Sequence, residues 1–200
     1  MRKLADGNCW MTSGLKYSLS ANSTRVGVNH STNVTFNFNT GTACFGNEAC
    51  IMNGNTKMVD NGYDSFYYSW YAATAGTGTT STVGESTGSI CPKGWRLPAN
   101  YSVDSSKSYG SITEAYLGIH EETSGNYVST LEAIPIQLKR AGDYYDGTFH
   151  QGGERAFYWS STAAGAASGY DLRLTTSYVS PQYSDVKYCG FPIRCVNTDL

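Results

Sequence analysis

The sequence is poor in charged residues and contains no long apolar run. Charged residues make up 15% of its 200 positions, and the formal net charge is −2. This balance leaves no basic stripe of the kind that binds phosphates, so we expect no nucleic-acid partner. No apolar segment approaches the length of a membrane span, so we also expect no membrane insertion by this chain.

Aliphatic residues are scarce as well. Leu, Ile, Val and Phe together account for only 34 positions. Such a low fraction indicates disorder when net charge is high and aromatics are few, but here 16 Tyr and 4 Trp provide bulky surface to bury. With 22 Gly and abundant Ser, Thr and Asn, the composition is typical of a loop-rich recognition surface. No repeat or linker divides the chain, so we predict a single domain over residues 1–200.

Catalytic and metal-binding motifs are missing. There is no HExxH or phosphate-binding glycine loop, and His30, His120 and His150 do not have the spacing of metal ligands. We therefore predict that the protein is not an enzyme and needs no cofactor. One structural Ca²⁺ site is conceivable, because Asp143 and Asp146 share a turn, although their spacing is not that of an EF-hand loop.

The six cysteines indicate where the protein works. They form no CxxC pair and have no zinc-finger spacing, and an even, widely spaced set favours disulfides in an oxidising compartment. Cys44 and Cys50 are close enough to close a small local loop. The opening residues MRKL lead straight into polar residues and do not resemble a secretory leader. We expect an extracellular or cell-surface protein whose leader or anchor lies outside this sequence.

Two helix starts are legible. Ser111 and Glu114 form a capping box, and Ser129 and Glu132 repeat it, with Pro135 ending the second helix after about one turn. Strands outnumber helices, and the helices cluster in mid-chain, which predicts an α+β fold rather than βαβ repeats. The apolar and alternating patterns predict strands at 34–38, 66–71, 136–138, 156–159, 170–174 and 191–196.

Five strings, in this order, carry a family resemblance: Leu4–Met11, Tyr68–Ala73, Ile90–Pro98, Tyr158–Thr162 and Gly190–Val196. Together they resemble the bacterial major paralogous (FISUMP-type) domain, which has a C-type-lectin-like fold. The resemblance implies two short helices packed on small antiparallel sheets, rich in loops and stapled by disulfides. The polar segment at about 21–61 has no counterpart in the family pattern and is interpreted as an insertion.

The C-terminal part is similar to the variable proteins of diversity-generating retroelements. These proteins diversify the last strands and loops of a lectin-like scaffold by adenine-directed mutagenesis, between a fixed Trp-Ser-Ser and a fixed Gly-Phe-x-x-Arg-Cys-Val, which Trp159 and Gly190 begin here. Within 163–173 and 183–189, every residue except Lys187 can be reached from an Asn codon by changing its adenines. An ordinary polar, Gly-rich loop is the alternative interpretation.

This second resemblance implies a non-catalytic display protein whose hypervariable segment, about 163–189, binds a protein ligand. Small residues would shape a concavity, tyrosines would supply large contacts, and charged residues would set specificity. Leu172 and Leu174 are expected in the core, as are Trp10, Trp95 and Trp159. The predicted ligand-binding residues are Ala164, Ala166, Ser168, Tyr170, Asp171, Arg173, Tyr183, Ser184, Asp185 and Tyr188.

The first resemblance also implies disulfide pairing. It places Cys91 ahead of the Ser111 helix and Cys195 on the terminal strand, so these two are expected to pair. Cys9 and Cys189 remain: they pair with each other, or Cys189 occupies a diversified position.

Two other functions compete with ligand display. A formylglycine-generating oxidoreductase shares the lectin-like core and an Arg-Leu-Pro string, and would need Cys189 and Cys195 as a thiol pair, although the surrounding residues do not follow that family's motif. The second competing function is that of an undiversified lectin-like domain that binds carbohydrate or protein. The Glu-Pro-Asn, Gln-Pro-Asp and Trp-Asn-Asp strings of calcium-dependent lectins are absent.

Overall fold

Short strands and a few small helices build the chain. A computed structural model describes residues 1–15, 25–29, 32–36, 51–52, 66–75, 84–146 and 148–197. Its helices are α1 (Trp70–Ala73), α2 (Tyr109–Leu117) and α3 (Val128–Leu131). Its strands are β1 (Arg2–Lys3), β2 (Cys9–Trp10), β3 (Arg25–Asn29), β4 (Thr32–Phe36), β5 (Ile51–Met52), β6 (Tyr67–Tyr68), β7 (Gly84–Glu85), β8 (Trp95–Arg96), β9 (Thr123–Ser124), β10 (Asp143–Tyr145), β11 (Thr148–His150), β12 (Ala156–Ala163), β13 (Ser168–Leu174), β14 (Tyr178–Val186) and β15 (Val196–Asn197).

The largest sheet is antiparallel and has five strands in the order β7-β12-β13-β14-β9. The predicted strands at 156–159 and 170–174 are confirmed, and each extends further than its apolar pattern. Strand β14 was not predicted, because its second half carries polar side chains on both faces. This sheet carries the whole segment 163–186.

A second antiparallel sheet, in the order β1-β2-β15-β8, joins the two ends of the described chain. Val196 pairs with Trp10 on one side and with Arg96 on the other. The strand predicted over 191–196 is therefore shorter than expected, and Phe191 makes only an isolated bridge to Tyr68. In the polar segment near 21–61, β3 pairs with β4, and β5 pairs with β6.

Helix α2 begins three residues earlier than its capping box predicts. The Ser108 side chain, not that of Ser111, is the N-cap, and it accepts a hydrogen bond from the Ser111 backbone N at 3.1 Å. The helix ends at Gly118, whose φ of 70° is left-handed and favours glycine. Similarly, α3 starts at Val128 and has no side-chain cap, so the second capping box was wrong, although the helix is one turn long as predicted.

Two predicted strands are wrong in whole or in part. The aromatic run at 66–71 forms only the short β6, because Ser69 then accepts a hydrogen bond from the Ala72 N at 3.2 Å and starts α1. Residues 136–138 form no strand, since Gln137 has a φ of 57° that interrupts an extended chain. Of the strand predicted at 34–38, residues 34–36 belong to β4, which begins at Thr32, and residues 37–38 lie outside the described residues.

Two hydrophobic clusters lie on opposite faces of the large sheet. Phe157 and Trp159 of β12 pack into the cluster that contains Trp70 and the disulfide, whereas Tyr158 packs into the cluster around Trp10. Leu172 and Leu174 are fully buried in the second cluster, which confirms them as core residues. Trp10 and Trp159 are buried as predicted, and Trp95 is partly buried. The fold is thus α+β, with three small helices in the described part instead of two.

The disulfide between Cys91 and Cys195 is present and spans 104 residues of sequence, as the family resemblance implied. Cys9 and Cys189 are both free thiols, so they do not pair with each other. The predicted partners Cys44 and Cys50 lie outside the described residues. None of the helices in the described ranges is long and apolar enough to cross a bilayer.

Candidate functional site

Strands β13 and β14 expose different residues on their two faces, because side chains alternate along a strand. The face that we call the pocket face carries Tyr170 with the facing Ser184 of β14, and continues into the buried Leu172. The opposite face, which we call the arginine face, carries Arg173 and Asp171 beside Phe157 and Trp159. The predicted ligand-binding residues are therefore divided between two sides of one sheet.

A charge pair is built into the arginine face. The Arg173 guanidinium lies 3.5 Å from the centroid of the Tyr183 ring and 4.9 Å from that of Phe157. It also forms an ion pair with Asp185. Burial lowers the pKa of Arg173. The charges of Asp185 and Asp171 and the hydrogen bonds of the Arg173 side chain raise this pKa by more, so the pKa of Arg173 is raised overall. Arg173 is thus a fixed cation sandwiched between rings, with only 8% of its surface exposed.

Asp171 lies deeper on the same face and is fully buried. Neither of its carboxyl oxygens has a hydrogen-bond partner among the described residues. Burial raises the pKa of Asp171 well above its ordinary value, the Asp185 charge raises it further, and only Arg173 lowers it. A carboxyl group in this position is stable in its neutral form.

Two further titratable groups surround this buried carboxyl. Burial is the main reason that the pKa of Asp143 is raised to about 6, and one of its oxygens is buried without a partner in the described chain. Burial also raises the pKa of the Cys189 thiol, and the neighbouring aspartates add to the effect. Cys189 therefore remains a protonated thiol rather than a nucleophile.

The β12–β13 turn is held from beneath by a buried lysine. The Lys187 Nζ donates hydrogen bonds to the carbonyls of Gly165 at 2.7 Å and Ala166 at 3.2 Å, and lies 4.4 Å from the Trp70 ring centroid. Desolvation lowers the pKa of Lys187, whose surface is only 1% exposed. The turn backbone is thereby fixed while the Ala166 side chain is exposed.

Gly169 shows how tightly this hairpin sits on the core. A Cβ atom at this position would lie 2.5 Å from Cδ1 of the buried Trp70 ring. The indole N–H of Trp70 in turn donates to the Ser160 carbonyl at 3.0 Å. Position 169 therefore accepts no side chain unless the ring moves.

At the far end of the segment, Tyr188 stacks on Tyr145 with ring centroids 5.8 Å apart. A hydrogen bond with Tyr145 is the largest cause of the raised pKa of Tyr188, followed by desolvation. Tyr188 is half-buried, so part of this aromatic pair faces solvent.

A pocket of about 550 Å³ opens on the pocket face, between the sheet and the loop that leads from α2 to β9. The Gln182 Nε2 donates to the His120 carbonyl at 2.9 Å and ties this loop to β14. The residues that line the pocket are Glu121, Glu122, Tyr170, Ser180, Gln182, Tyr183 and Ser184.

The structure divides the ten predicted residues by depth. Asp171 and Arg173 are buried on the side of β13 that packs against Phe157 and Trp159. The other eight are exposed or half-buried, namely Ala164, Ala166, Ser168, Tyr170, Tyr183, Ser184, Asp185 and Tyr188. Whether these residues contact a ligand stays a prediction.

Three residues of this region escaped the sequence analysis. No local pattern links Glu121 and Glu122 to a strand 60 residues later. Gln182 would have been found by recognising β14, where it and Ser184 share one face.

Metal ligation receives no support from side-chain arrangement. Within the ranges that the structure covers, no three His, Cys, Asp or Glu side chains are grouped so that they could hold an ion. Of the pair considered for Ca²⁺, Asp143 begins β10 and is half-buried, whereas Asp146 directly follows β10 and is exposed.

Comparison with known families gives one match. The model described as the Fibrobacter succinogenes major domain matches residues 5–197. Neither the curated proteins nor the solved structures contain a match to this chain.

Proposed function

The chain belongs to the family of Fibrobacter succinogenes major domains, and from that premise we propose that it is a non-catalytic ligand-binding protein. In this proposal, a rigid scaffold displays the exposed part of segment 163–189 to a protein ligand. We further propose that the scaffold is of the C-type-lectin-like class. The pairing of β15 with β2, which brings the two ends of the described chain together, and the Cys91–Cys195 link support that class.

The observation that carries the proposal is the contrast in depth between the segment and its flanks. Strand β12 is buried along its whole length, and the residues after the segment, from Phe191 to Val196, are buried too. Between them, exposed or half-buried small residues and tyrosines alternate with buried residues such as Leu172 and Lys187. Such a division lets surface side chains vary at little cost to the scaffold.

Diversification of this segment, as in retroelement variable proteins, is part of the proposal in a narrower form. Gly169, Asp171 and Leu172 are buried and packed, so variation there would disturb the core. Lys187, the one residue outside the adenine-reachable set, is the buried lysine that holds the turn. We therefore restrict diversification to the eight exposed or half-buried predicted residues.

The oxidoreductase alternative lacks the free cysteine pair that it requires. It needs Cys189 and Cys195 as free neighbours, but Cys195 is bonded to Cys91, and the pKa of the buried Cys189 thiol is raised. The disulfide instead favours an oxidising compartment, which supports display outside the cell or on its surface.

A library experiment tests the proposal. Ala166, Ser168, Tyr170, Ser184 and Tyr188 are randomised together in yeast display, beside a control library at five buried positions: Leu172, Leu174, Val179, Phe191 and Ile193. We expect most members of the first library, and few of the second, to be displayed as folded protein. Selection of the first library on lysozyme as a probe should yield specific binders. Equal loss of folded display in both libraries, or no binder from the first, would contradict the proposal.

A further inference from the structure

We infer that the pocket between the α2–β9 loop and the pocket face receives a cationic side chain, arginine or lysine, of the protein ligand. This inference rests on the proposed function and names the chemistry that the display surface recognises at its deepest point. Four features of the pocket support the inference, namely its shape, its charge, its aromatic wall and its rigidity.

The pocket is an open depression of the surface that is large enough for a side chain. Its volume of about 550 Å³ falls within the range of known small-ligand sites, so it has room for a long side chain with its polar head. Two strands and one loop line it, and its mouth faces solvent beside the exposed Ser184. A side chain projecting from a bound protein can therefore enter it.

The charge of the lining is negative. Glu121 and Glu122 both line the pocket and are exposed, and neither carboxylate bonds to another side chain in the described residues. No lysine or arginine is among the lining residues. The neighbouring His120 is engaged elsewhere, since it lies 2.5 Å from Glu114 and stacks on the Tyr101 ring. The carboxylates are thus free to pair with a cation from outside.

The remaining groups suit the same cation. Tyr170 is half-buried and lines the pocket, and aromatic rings attract guanidinium and ammonium groups. The Gln182 amide uses its nitrogen on the His120 carbonyl, which leaves its oxygen as an acceptor for an N–H donor. Carboxylate, ring face and amide oxygen together match the donors of an arginine or lysine head group.

The molecule already holds an arginine with this chemistry on the opposite side of the sheet. There, Arg173 lies 3.5 Å from the Tyr183 ring centroid and pairs with the Asp185 carboxylate. The pocket presents an equivalent set, a tyrosine and carboxylates, without a cation of its own among the described residues.

The pocket is also held in shape before a ligand arrives. Strand β9, directly after Glu122, pairs with β14 through Thr123 and Val179, and the Gln182–His120 bond anchors the loop before it. Because both walls are fixed to β14, little ordering of the loop is needed on binding, which favours affinity.

The test uses peptides as probes. A phage library of random 12-residue peptides is selected on the whole chain, on E121Q/E122Q, and on the control E154Q/D146N, which removes two exposed charges outside the pocket. We expect arginine and lysine to be enriched in peptides selected on the whole chain and on the control, but not on E121Q/E122Q. One selected peptide and its counterpart with citrulline or norleucine in place of the cationic residue are then titrated against all three proteins by calorimetry.

The cationic peptide should bind the whole chain and the control about tenfold more tightly than its neutral counterpart. On E121Q/E122Q the difference should disappear. If peptides bind but the neutral counterpart binds equally well, or the control loses as much affinity as E121Q/E122Q, the inference is overturned while ligand binding stands. If no peptide binds the whole chain, the proposed function fails and the inference falls with it.

Discussion

At the scale of single residues, Asp171 is the most unusual group in the molecule. Its carboxyl is fully buried with both oxygens unpartnered in the described chain, next to Asp185 and the Arg173 cation. A charged carboxylate there would lack compensation, so the folded state retains the proton. Its position explains why alternation alone was misleading: polar residues that alternate with Leu172 and Leu174 suggest a solvent-facing side, but here both sides of β13 are buried from Asp171 to Leu174.

A pH dependence of stability follows from these raised pKa values. A carboxyl whose pKa is raised on folding binds its proton more tightly in the folded than in the unfolded chain, whose aspartates titrate near pH 3.9. The free energy of unfolding should therefore be highest near pH 4 and fall as the pH rises. Asp143, whose pKa is about 6, contributes to the fall up to that pH, and Asp171 continues it above.

Asp171→Asn tests this account at one position. At pH 8 the unfolded chain carries this aspartate ionised, and folding must protonate it, a cost that asparagine avoids. The substitution should therefore raise the free energy of unfolding at pH 8 by about 1–3 kcal/mol and leave it nearly unchanged at pH 4. Urea unfolding at both pH values measures the difference.

Asp104→Asn is the matched control for that substitution. Burial alone would raise the pKa of Asp104, but hydrogen bonds from Ser106 and the charge of Arg96 lower it, so this variant should lose stability at pH 8. A gain in both variants, or a loss in Asp171→Asn at pH 8, would contradict the proposed neutral carboxyl.

At the scale of elements, apolar patterns predicted the strands whose side chains pack into a hydrophobic cluster. They missed strands that are defined only by hydrogen bonds to a neighbouring strand. The pattern of Phe157 and Trp159 was sufficient for β12, because each of its faces meets a hydrophobic cluster. Strand β14 was missed because its later side chains are polar, and its hydrogen bonds to β13 define it instead. For α2, the capping box predicted Ser111 as the cap, whereas Ser108 caps the helix and the buried Tyr109 is its first residue.

The candidate site could be predicted in part for the same physical reason. Segment 163–189 was located by its flanking strings, whereas Glu121, Glu122 and Gln182 join the pocket only through the pairing of β9 with β14. Contacts between distant parts of a chain leave no local pattern in a single sequence.

The turn 164–167 depends on Lys187, and this gives a prediction for the element. Lys187→Met keeps the length of the side chain but removes the donors to the Gly165 and Ala166 carbonyls. The amides of Ala164 and Gly165, which donate to the Ser168 carbonyl, should then exchange with deuterium about tenfold faster, equivalent to about 1.4 kcal/mol. Lys93→Met, at an exposed position, is the control and should leave these amides unchanged. Unchanged exchange in Lys187→Met would refute the role of this lysine.

At the scale of the whole molecule, the Cys91–Cys195 disulfide joins the middle of the chain to its last strand. Because it closes a loop of about a hundred residues, C91A/C195A should lower the free energy of unfolding by about 2–5 kcal/mol. Urea unfolding of the variant and the parent chain under non-reducing conditions measures this. Cys189→Ala is the comparison, since Cys189 is buried but unbonded, and it should cost less. Equal losses would show that the bond itself contributes little.

The same contrast between frame and surface organises the whole chain. Buried tryptophans, the disulfide and the covered faces of β12 and β13 form the frame, and the low overall charge leaves a surface of tyrosine, serine and alanine around the acidic pocket. The central claim is that this surface can change while the frame cannot.

Thermal melting of two variants tests that claim most directly. One carries five surface changes, A166S/S168N/Y170S/S184N/Y188S, and the other carries the single frame change Gly169→Ala, whose Cβ would meet the Trp70 ring at 2.5 Å. We predict that the first melts within about 4 °C of the parent chain and that the second melts lower than the first, since overpacking a core costs about 1–3 kcal/mol. If the five surface changes lower the melting temperature more than the one added methyl group, segment 163–189 is part of the frame and the account is wrong.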